Sequence, residues 1–345
     1  MNTDTSETTP HQWVKDIKEN DRIHGLYLVK TKKTGRTRKG SPFLTLTLAD
    51  KTGELEAKVW DRAEAVSPLF REGDILVVEG YAGSYRNEIQ LTLSNLYVPE
   101  QVTDRGLFLE TTPNDAAEMM RRLREVLSSI EERHLKGLID RFLSDRMFLS
   151  LFKQAPAAKK FHHAYLGGLL EHTHSVCRLA QAVADHYPDL DRDLLLAGAF
   201  LHDIGKIREF QYERQIDYTG EGRLLGHLML GVEMLEERVG AIRGFPKELA
   251  LRLKHLILSH HGELEYGSPK RPKFPEAFAL HLIDDLDAKM NGLARIMEKD
   301  LQEGAWTDFN RLFDRYLLKR SMPDMEAESE AVPAGHDKQK ALFSP

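Results

Sequence analysis

Histidine and aspartate residues recur at the ends of apolar stretches in the second half of the chain. In the segment "AGAFLHDIGK" an apolar run leads directly into His202 and Asp203. Burying such a pair without partners would cost several kcal/mol, so a core network, a metal ion or chance placement at a helix end must account for it. Further candidates of the same kind complete a set of seven, in chain order: His172, His202, Asp203, His227, His260, His261 and Asp284.

These seven residues would form a metal site if the helices that carry them face one another. Helix bundles build metal sites from inward side chains on facing helices. Imidazole and carboxylate ligands favour Mn, Fe, Zn, Ni or Co over Ca. Seven ligands exceed the needs of one ion with open positions, which points to two ions with Asp203 as the natural bridge. A single buried histidine is more often a satisfied core residue, and we assign four others to that class: His134, His186, His255 and His281.

The elements that must position these residues are helices. After Pro99, apolar residues follow a helical period through segments such as "GGLLEHTHSVCRLAQAVADHY", "PKELALRLKHLILSHHG" and "PEAFALHLIDDLDAKMNGLARIMEKDL". Proline and glycine mark the breaks between them. The second half of the chain is therefore predicted to be an all-α bundle.

The first part of the chain has a different period. "FLTLTLAD" alternates apolar residues with threonine, and "ELEAKVWD", "DILVVEGYAG" and "EIQLTLSNLYV" are further predicted strands separated by turn signals. With "RIHGLYLVKTKK" in front, the pattern gives five strands between Asp21 and Val98. Five short antiparallel strands are typical of a Greek-key barrel of the OB type. An SH3-like barrel or a fragment of a sandwich fits the pattern nearly as well.

The order of the metal-binding candidates resembles a known family. "EHTHSV", "FLHDIGK", "LLGH", "LSHHGELEYGSP" and "HLIDDLDAKM" are similar to the motif string of the HD-domain metal-dependent phosphohydrolases, roughly over residues 160–300. The barrel in front, together with "HHAYLGGLLEH" and "HHGELEYGSPKRP", resembles more narrowly the YhaM-type 3′–5′ exoribonucleases. This resemblance implies an OB fold followed by an HD domain, and metal-dependent release of nucleotides from the 3′ end of a single strand.

The resemblance also implies how the ligands divide between two divalent ions. One ion would be held by His172, His202, Asp203 and Asp284, and the other by Asp203, His227, His260 and His261. Asp285 is the alternative to Asp284, which aligns better with the family and keeps Asp287 one turn away. Mn²⁺ is the expected ion, with Fe, Co, Ni or Mg as alternatives.

Three further residues are candidates for contact with the substrate. Lys206, four residues after His202 and one turn along the same helix face, could donate to a phosphate oxygen or be a solvated lysine. His163 could contact the substrate or protonate the leaving oxygen, with a structural role as the alternative. His162 is the less favoured of the two neighbouring histidines.

A local cluster of cations in the barrel predicts nucleic-acid contact. Residues 30–40, "KTKKTGRTRKG", contain no acid, although residues 1–104 carry 14 basic and 16 acidic residues. The cluster falls at the predicted loop between the first two strands, where OB folds often contact nucleic acid. Its six cations are Lys30, Lys32, Lys33, Arg36, Arg38 and Lys39. A solvated hairpin tip is the alternative.

Aromatic residues near the strands could supply stacking platforms for bases. The candidates are Phe43, Trp60, Tyr81 and Tyr85; each taken alone is more typical of a core residue, Trp60 most of all, and Phe43 and Tyr85 are the two that we assign to nucleic-acid binding. A weaker cationic patch, at a candidate entry point for the substrate, follows the paired histidines and consists of Lys270, Arg271 and Lys273.

The sequence favours a multidomain β + α protein. We expect a disordered N-terminus (1–12), an OB-fold nucleic-acid-binding domain (13–100), a helical connector (101–155), an HD domain (156–322) and a disordered tail (323–345). The net charge of −6 argues against a globally basic nucleic-acid binder. No apolar run approaches the length of a membrane span, no secretory signal is evident, and the single cysteine, Cys177, suits a reducing cytoplasm.

Three functions remain open at this point. The first is a metal-dependent exonuclease acting on single-stranded RNA, with single-stranded DNA as an alternative polymer. The second is a phosphohydrolase of nucleotides or other small phosphorylated substrates, and the third is a binder of single strands without activity. The complete ligand set weighs against the third, and the basic segment favours the first over the second. A homo-oligomer that forms a channel is compatible with the sequence but not required by it.

Overall fold

The first part of the chain is a closed five-stranded barrel. The computed structural model describes residues 11–85, 88–100, 105–159, 161–212, 215–300 and 304–319. The strands are β1 (Arg22–Arg36), β2 (Pro42–Asp50), β3 (Gly53–Val59), β4 (Ile75–Tyr85) and β5 (Glu88–Tyr97). A short helix, α1 (Ala63–Val66), lies between β3 and β4.

The strand order identifies the barrel as an OB fold. The strands pair in the order β1-β2-β3-β5-β4 and the barrel closes between β4 and β1. All pairs are antiparallel except β3 with β5. Alternate residues of β2, including Leu44, Leu46 and Leu48, point into a core that is closed to solvent. The predicted OB-type barrel is therefore confirmed.

The basic segment 30–40 differs from the predicted loop. β1 continues through Arg36, and only the turn between β1 and β2 is outside a strand. The register pairs Lys33 with Thr45 and Gly35 with Phe43. Most of the segment's cations therefore lie on a strand, which fixes the direction of their side chains, because side chains alternate between the two faces of a strand.

The residues before β1 pack against the barrel. The Asp50 carboxylate accepts hydrogen bonds from the Val14 amide (2.8 Å) and the His11 ring (3.0 Å), while the Tyr27 hydroxyl donates to Gln12 O (2.5 Å). His11 and Gln12 fall at the end of the predicted disordered segment 1–12, and the rest of that segment lies outside the described residues.

The second part of the chain is helical. The helices are α2 (Ala116–Ser128), α3 (Arg133–Ser144), α4 (Arg146–Gln154), α5 (Gly168–His186), α6 (Arg192–Leu201), α7 (Lys206–Glu209), α8 (Gly220–Gly240), α9 (Lys247–Ser259) and α10 (Pro275–Lys299). Two-residue strands β6 (Phe210–Gln211) and β7 (Asp217–Tyr218) pair between α7 and α8. No described helix is long and apolar enough to span a membrane.

One apolar core joins the predicted connector to the helices that carry the candidate ligands. Phe142, Phe148 and Phe152 from α3 and α4 contact Phe200 of α6 at ring-centroid distances of 5.8 to 6.3 Å. All four rings belong to the same buried cluster as residues of α5, α9 and α10. The connector predicted for 101–155 is thus packed as part of the helical bundle from α2 onward.

Two glycines allow the backbone to approach closely around the predicted metal site. A Cβ on Gly205 would lie 2.0 Å from the backbone oxygen of His227, so only glycine lets the turn between α6 and α7 pack on α8. Gly226 has φ of 70° and interrupts α8 directly before His227. The break frees the His227 amide to donate to Glu209 Oε1 (3.1 Å).

Residues from 290 onward form a separate unit. Within it, the Thr307 amide donates to Leu317 O (2.9 Å) and the Lys319 amide donates to Ala305 O (2.7 Å). The predicted disordered tail, 323–345, lies outside the described residues.

Candidate functional site

Three of the candidate ligands converge from α5, α10 and the end of α6. His172 Nε2 lies 3.0 Å from Asp284 Oδ1 and 3.1 Å from His202 Nε2. His202 Nε2 lies 3.7 Å from the same Asp284 oxygen. Both histidines are closed to solvent. Because these donor atoms all face one point, the three residues form a first cluster that could hold a metal ion.

Three further histidines form a second cluster. His227 of α8 meets His260 and His261 at the end of α9, with ring centroids 5.8 and 5.1 Å from that of His227. One nitrogen from each ring lies within 4.8 Å of the others. The adjacent pair at 260 and 261 contributes both rings because the pair lies where α9 ends, at its C-cap and the following turn.

Asp203 lies between the two clusters with one carboxylate oxygen toward each. Its Oδ2 is 3.3 Å from His202 Nε2 and 3.5 Å from His172 Nε2. Its Oδ1 is 3.5 Å from the Nε2 atoms of both His227 and His260. This arrangement allows a single carboxylate to serve both clusters.

A hydrogen bond of Nδ1 fixes the ring orientation of each of the five histidines in the two clusters. In each ring Nδ1 donates a hydrogen bond away from the clusters, which in a neutral imidazole leaves the lone pair of Nε2 free to bind a metal ion. The acceptors are Asp287 Oδ2 for His172 (2.7 Å), Ala199 O for His202 (2.8 Å), Glu209 Oε1 for His227 (3.2 Å), Ile257 O for His260 (2.8 Å) and Tyr266 O for His261 (3.0 Å).

The electrostatics of the clusters also fit a cation. Burial opposes ionisation of Asp203, but the ammonium of Lys206 and the imidazole of His202 hold its pKa well below the ordinary value. Burial likewise opposes ionisation of Asp284, and its contacts with the histidines, His172 first, lower its pKa. Asp203 Oδ1 and His227 Nε2 are buried without a hydrogen-bond partner. Two ionised carboxylates, five imidazoles and these unpartnered donor atoms are the donor set expected for divalent transition metals.

His172 in the first cluster and His261 in the second differ in their affinity for protons. Burial disfavours the charged form of His172, but its hydrogen bonds with Asp284 and Asp287 raise its pKa to about 9. Burial followed by repulsion from His260 and His227 lowers the pKa of His261 to about 2. At neutral pH a metal ion would therefore compete with a proton in the first cluster, whereas His261 is already neutral.

The structure places Asp284 and Asp285 in different surroundings. Asp284 faces the first cluster, whereas Asp285 Oδ2 pairs with Lys289 Nζ at 2.6 Å on the exposed side of α10. Of the two alternatives left open by the sequence, Asp284 is the one that the geometry brings to His172.

Lys206 reaches the site by a route that the sequence did not predict. His202 caps α6 and Lys206 begins α7, so the two do not share a helix face. The predicted placement one turn along the same helix is therefore wrong. Lys206 is nevertheless buried, and its Nζ donates to Asp203 Oδ2 at 2.5 Å. The turn between the helices brings the ammonium to the carboxylate of Asp203.

His163 lies behind the clusters instead of facing them. Its Nε2 donates to Asp287 Oδ2 (3.1 Å), and its Nδ1 is 3.0 Å from the Tyr165 hydroxyl. Asp287 in turn accepts from His172, and Ser175 Oγ donates to its other oxygen. With both ring nitrogens engaged, His163 is arranged to orient Asp287 and through it His172.

The sequence reasoning missed the supporting roles of two acids. Asp287 fixes His172, and its position three residues after Asp284 on one helix was a usable signal. Glu209 accepts from both the amide and the ring of His227, from 18 residues upstream. No spacing rule could have revealed this second contact, because it depends on the short strands that fold the chain back between α7 and α8.

The outer face of the barrel presents a row of polar and aromatic side chains. The strand registers align Lys33, Thr45, Lys58, Thr92 and Tyr81 across five strands. Tyr81 is 56% exposed, and Lys58 Nζ donates to Thr45 Oγ1 (2.9 Å). Lys58 was not among the predicted contacts, because its position became meaningful only once the register was known.

An aromatic pair borders this row. Phe43 packs on Trp60 with ring centroids 5.0 Å apart, and Lys58 Nζ lies 5.6 Å from the Phe43 centroid. Trp60 is 45% exposed, so its expected place in the core was wrong. It follows directly after β3, opposite Phe43, and so continues the outer face of the barrel. Tyr85, at the end of β4, is 58% exposed.

The cations of the basic segment are not equivalent. Lys30, Lys33, Arg38 and Lys39 are exposed. Lys32 is half-buried, and its ammonium donates to the carbonyls of Ser67 (2.5 Å) and Phe70 (2.6 Å). Arg36 donates to Gly40 O (3.0 Å) within the turn. Lys32 is therefore already bound within the barrel, and the exposed cations are better suited to contact phosphates.

The second cationic patch lies on the loop that follows the second cluster. Lys270 and Lys273 are exposed, and Arg271 pairs with Glu263 (2.9 Å). The loop begins at Gly262, whose φ is 78°. The His261 ring donates a hydrogen bond to Tyr266 O, which joins this loop to the second cluster. The cations of the loop also follow the second cluster closely in the sequence.

Two family models match the chain in the predicted order. The model described as an OB-fold nucleic acid binding domain matches residues 13–99, and the model described as an HD domain matches residues 169–289. The second range contains every residue of the two clusters and Asp203. The predicted fold class, an OB-type barrel followed by an HD-domain helical bundle, is confirmed.

Curated relatives match nearly the whole chain. Among solved structures, the second OB-fold domain of replication protein A from Methanococcus maripaludis aligns with a TM-score of 0.23 and 19% identity, covering 28% of this chain and 100% of that one. The 3′-5′ exoribonuclease YhaM of Geobacillus sp. (strain WCH70) is 38% identical over 84% of this chain and 88% of its own. YhaM of Bacillus subtilis (strain 168) is 39% identical over 84% of this chain and 91% of its own. The chain therefore belongs to the YhaM family of 3′–5′ exoribonucleases.

Proposed function

We propose that this protein is a metal-dependent 3′–5′ exoribonuclease that hydrolyses single-stranded RNA at a site with two divalent ions. The observation that carries the proposal is the position of Asp203, which directs one oxygen to each of two histidine clusters. The names of the relatives support the direction of attack and the polymer. Mn²⁺ is the proposed ion, and Fe, Co, Ni or Mg would suit the same ligand types.

The ligands would divide into two overlapping sets. His172, His202 and Asp284 with Asp203 would hold one ion. His227, His260 and His261 with Asp203 would hold the other. A pair of such ions supplies a nucleophile from water at neutral pH and neutralises the charge of the phosphodiester.

The side chains around the clusters would contribute in three ways. Lys206 carries a buried ammonium next to Asp203, from which it could donate to a non-bridging phosphate oxygen. Asp287 and Glu209 hold His172 and His227 in the ring orientation that binding requires. His163 would act through Asp287, without contact with the substrate.

The barrel would bind the strand upstream of the cut. We propose that residues 13–100 act as the nucleic-acid-binding domain and residues 156–322 as the hydrolytic domain. The exposed Lys33 offers charge to phosphates, while Phe43, Trp60 and Tyr81 offer faces on which bases stack. Stacking and phosphate contact tolerate any sequence, and the same surface would accept single-stranded DNA.

The proposal is tested with a 5′-labelled oligoribonucleotide, Mn²⁺ and the purified full chain. We expect a ladder that shortens from the 3′ end, release of nucleoside monophosphates, and slower reaction when the 3′ end is phosphorylated or duplexed. Asp203→Ala should lose turnover and still bind the strand. Cleavage of a circular RNA would contradict an exonuclease. Hydrolysis of free nucleotides with no shortening of RNA would replace the proposal by a phosphohydrolase of small substrates.

A further inference from the structure

His162 lies next to the first cluster of candidate ligands and has no role in the proposed mechanism. Its ring lies against the first cluster, with its centroid 5.6 Å from that of His172. The ring is also 6.1 Å from His163 and 5.7 Å from Phe161. The ring therefore neighbours both Phe161 and a predicted metal ligand, His172.

One nitrogen of this ring has no partner within the protein. Nδ1 of His162 is buried and makes no hydrogen bond. Leaving a buried polar atom unsatisfied costs about 1–3 kcal/mol, so such atoms are rare unless a ligand completes them. The adjacent His163, by contrast, has partners for both nitrogens. Of the two neighbouring histidines, His162 is therefore the one with a ring nitrogen left for a ligand.

The His162 ring is neutral. Burial and then the ammonium of Lys206 lower its pKa to about 3. A neutral imidazole keeps one N–H to donate and adds no positive charge that would repel a metal ion.

We propose that His162 Nδ1 donates a hydrogen bond to a non-bridging oxygen of the phosphate at which the strand is cut. The proposal rests on the proposed exonuclease function and adds a substrate-binding residue to it. The phosphate would supply the missing partner of Nδ1, and Lys206 would bind the same group from the side of Asp203. His162 would then be a catalytic residue by contact, while His163 remains a positioning residue.

Three substitutions of His162 separate this role from mere packing. Asn places an amide nitrogen close to the position of Nδ1, Gln places one close to that of Nε2, and Ala removes both. Hydrogen bonds to charged groups contribute about 1.5–3 kcal/mol. We therefore expect His162→Ala and His162→Gln to lower kcat/KM for RNA by about 10- to 100-fold. His162→Asn should recover most of the activity.

A matched control is available on α9. His255 is also half-buried, has an unpartnered buried Nε2 and packs against an aromatic ring, Phe274 (5.2 Å), but it is not part of either cluster. His255→Ala should leave kcat/KM within about twofold, because surface-proximal changes away from the site have small effects. Circular dichroism and metal content by mass spectrometry should be unchanged in all four variants.

Binding provides a readout that does not depend on turnover. Titration calorimetry with a nucleoside 5′-monophosphate, the expected product, should show weaker binding to His162→Ala and His162→Gln and near-normal binding to His162→Asn. Equal activity and equal nucleotide affinity in wild type and His162→Ala would overturn the proposal. So would equal losses in the Asn and Gln variants, or loss of metal from them. If wild type itself releases no mononucleotides from RNA, the proposed function fails instead.

Discussion

Counting metal ions in three variants tests whether the centre consists of two sites that share one carboxylate. Asp203 belongs to both proposed ligand sets, Asp284 only to the first and His227 only to the second. Wild type should bind two ions per chain, Asp284→Ala and His227→Ala one each, and Asp203→Ala none. Asp285→Ala is the matched control, because this carboxylate is adjacent to Asp284 in the sequence but pairs with Lys289 on the exposed side of α10.

The size of the effect on stability follows from linkage. An ion that binds only the folded protein stabilises it by about 2.7 kcal/mol when its free concentration is 100-fold above Kd. Two sites would contribute about 5 kcal/mol, and each kcal/mol shifts Tm by about 2–4 °C for a domain of about 150–250 residues. Metal should therefore raise Tm by about 10–20 °C in wild type and by about 5–10 °C in the single-site variants. It should not change Tm of Asp203→Ala.

The assay combines metal analysis of desalted protein with thermal unfolding in the presence of Mn²⁺ or EDTA. The EDTA curves report folding without metal and show whether a substitution damages the bundle by itself. Asp203→Asn, which preserves the shape of the side chain, separates loss of a ligand from loss of packing around Lys206. One ion retained by Asp203→Ala, or both ions lost from Asp284→Ala, would refute the shared carboxylate.

Two further predictions concern the barrel. Changing Lys33 and Arg38 to Ser should reduce the slope of log Kobs against log[salt] for a long oligoribonucleotide by about 0.7 for each phosphate interaction that the substitutions remove. The control, Lys15→Ser with Lys18→Ser near the opposite end of the barrel, should leave the slope unchanged. Equal slopes in the two double variants would exclude a phosphate path along β1. Asp50→Asn should lower the free energy of unfolding by about 1–3 kcal/mol near neutral pH. Burial opposes ionisation of Asp50, but hydrogen bonds from His11, Thr52 and Val14 lower its pKa in the folded state, so its contribution is present above the unfolded pKa and is lost as pH falls through the folded one. The difference between Asp50→Asn and wild type in chemical denaturation should therefore shrink below about pH 4, and a constant difference would contradict the role of the charge.

The sequence pointed to the residues of the two clusters because a site of this chemistry restricts residue types more than packing does. Packing alone does not require histidines and aspartates at the ends of apolar helices, and the order of these residues matched a known motif string. The same reasoning favoured His163 over His162 for substrate contact, although the sequence does not show in which direction the side chain of either neighbouring residue points. His163 has φ of 46°, an unusual value for a residue with a side chain, which turns its ring away toward Asp287.

The barrel shows the opposite limit. Alternation predicted the strands, but whether an aromatic residue points inward depends on register and on where a strand ends. Trp60 follows β3 and continues its outer face, whereas Tyr27 on β1 is fully buried. A shift of one residue in either strand would have exchanged the two faces. Lys32 illustrates the same point, since its charge looked free in the sequence and is bound to two carbonyls in the fold.

The link between the two clusters depends on backbone and not on ligand chemistry. His202 and Asp203 are adjacent in a turn, so two consecutive residues direct a ring, that of His202, and a carboxylate oxygen, Asp203 Oδ2, to the first cluster. The other oxygen, Oδ1, reaches the second cluster only if α8 packs close to Asp203. Gly205 permits this close packing because it lies against the backbone of His227. Any larger residue there would push His227 away from Asp203 while leaving His172 and His202 in contact. We therefore expect the glycine in "HDIGK" to determine whether the proposed site can hold two ions or only one.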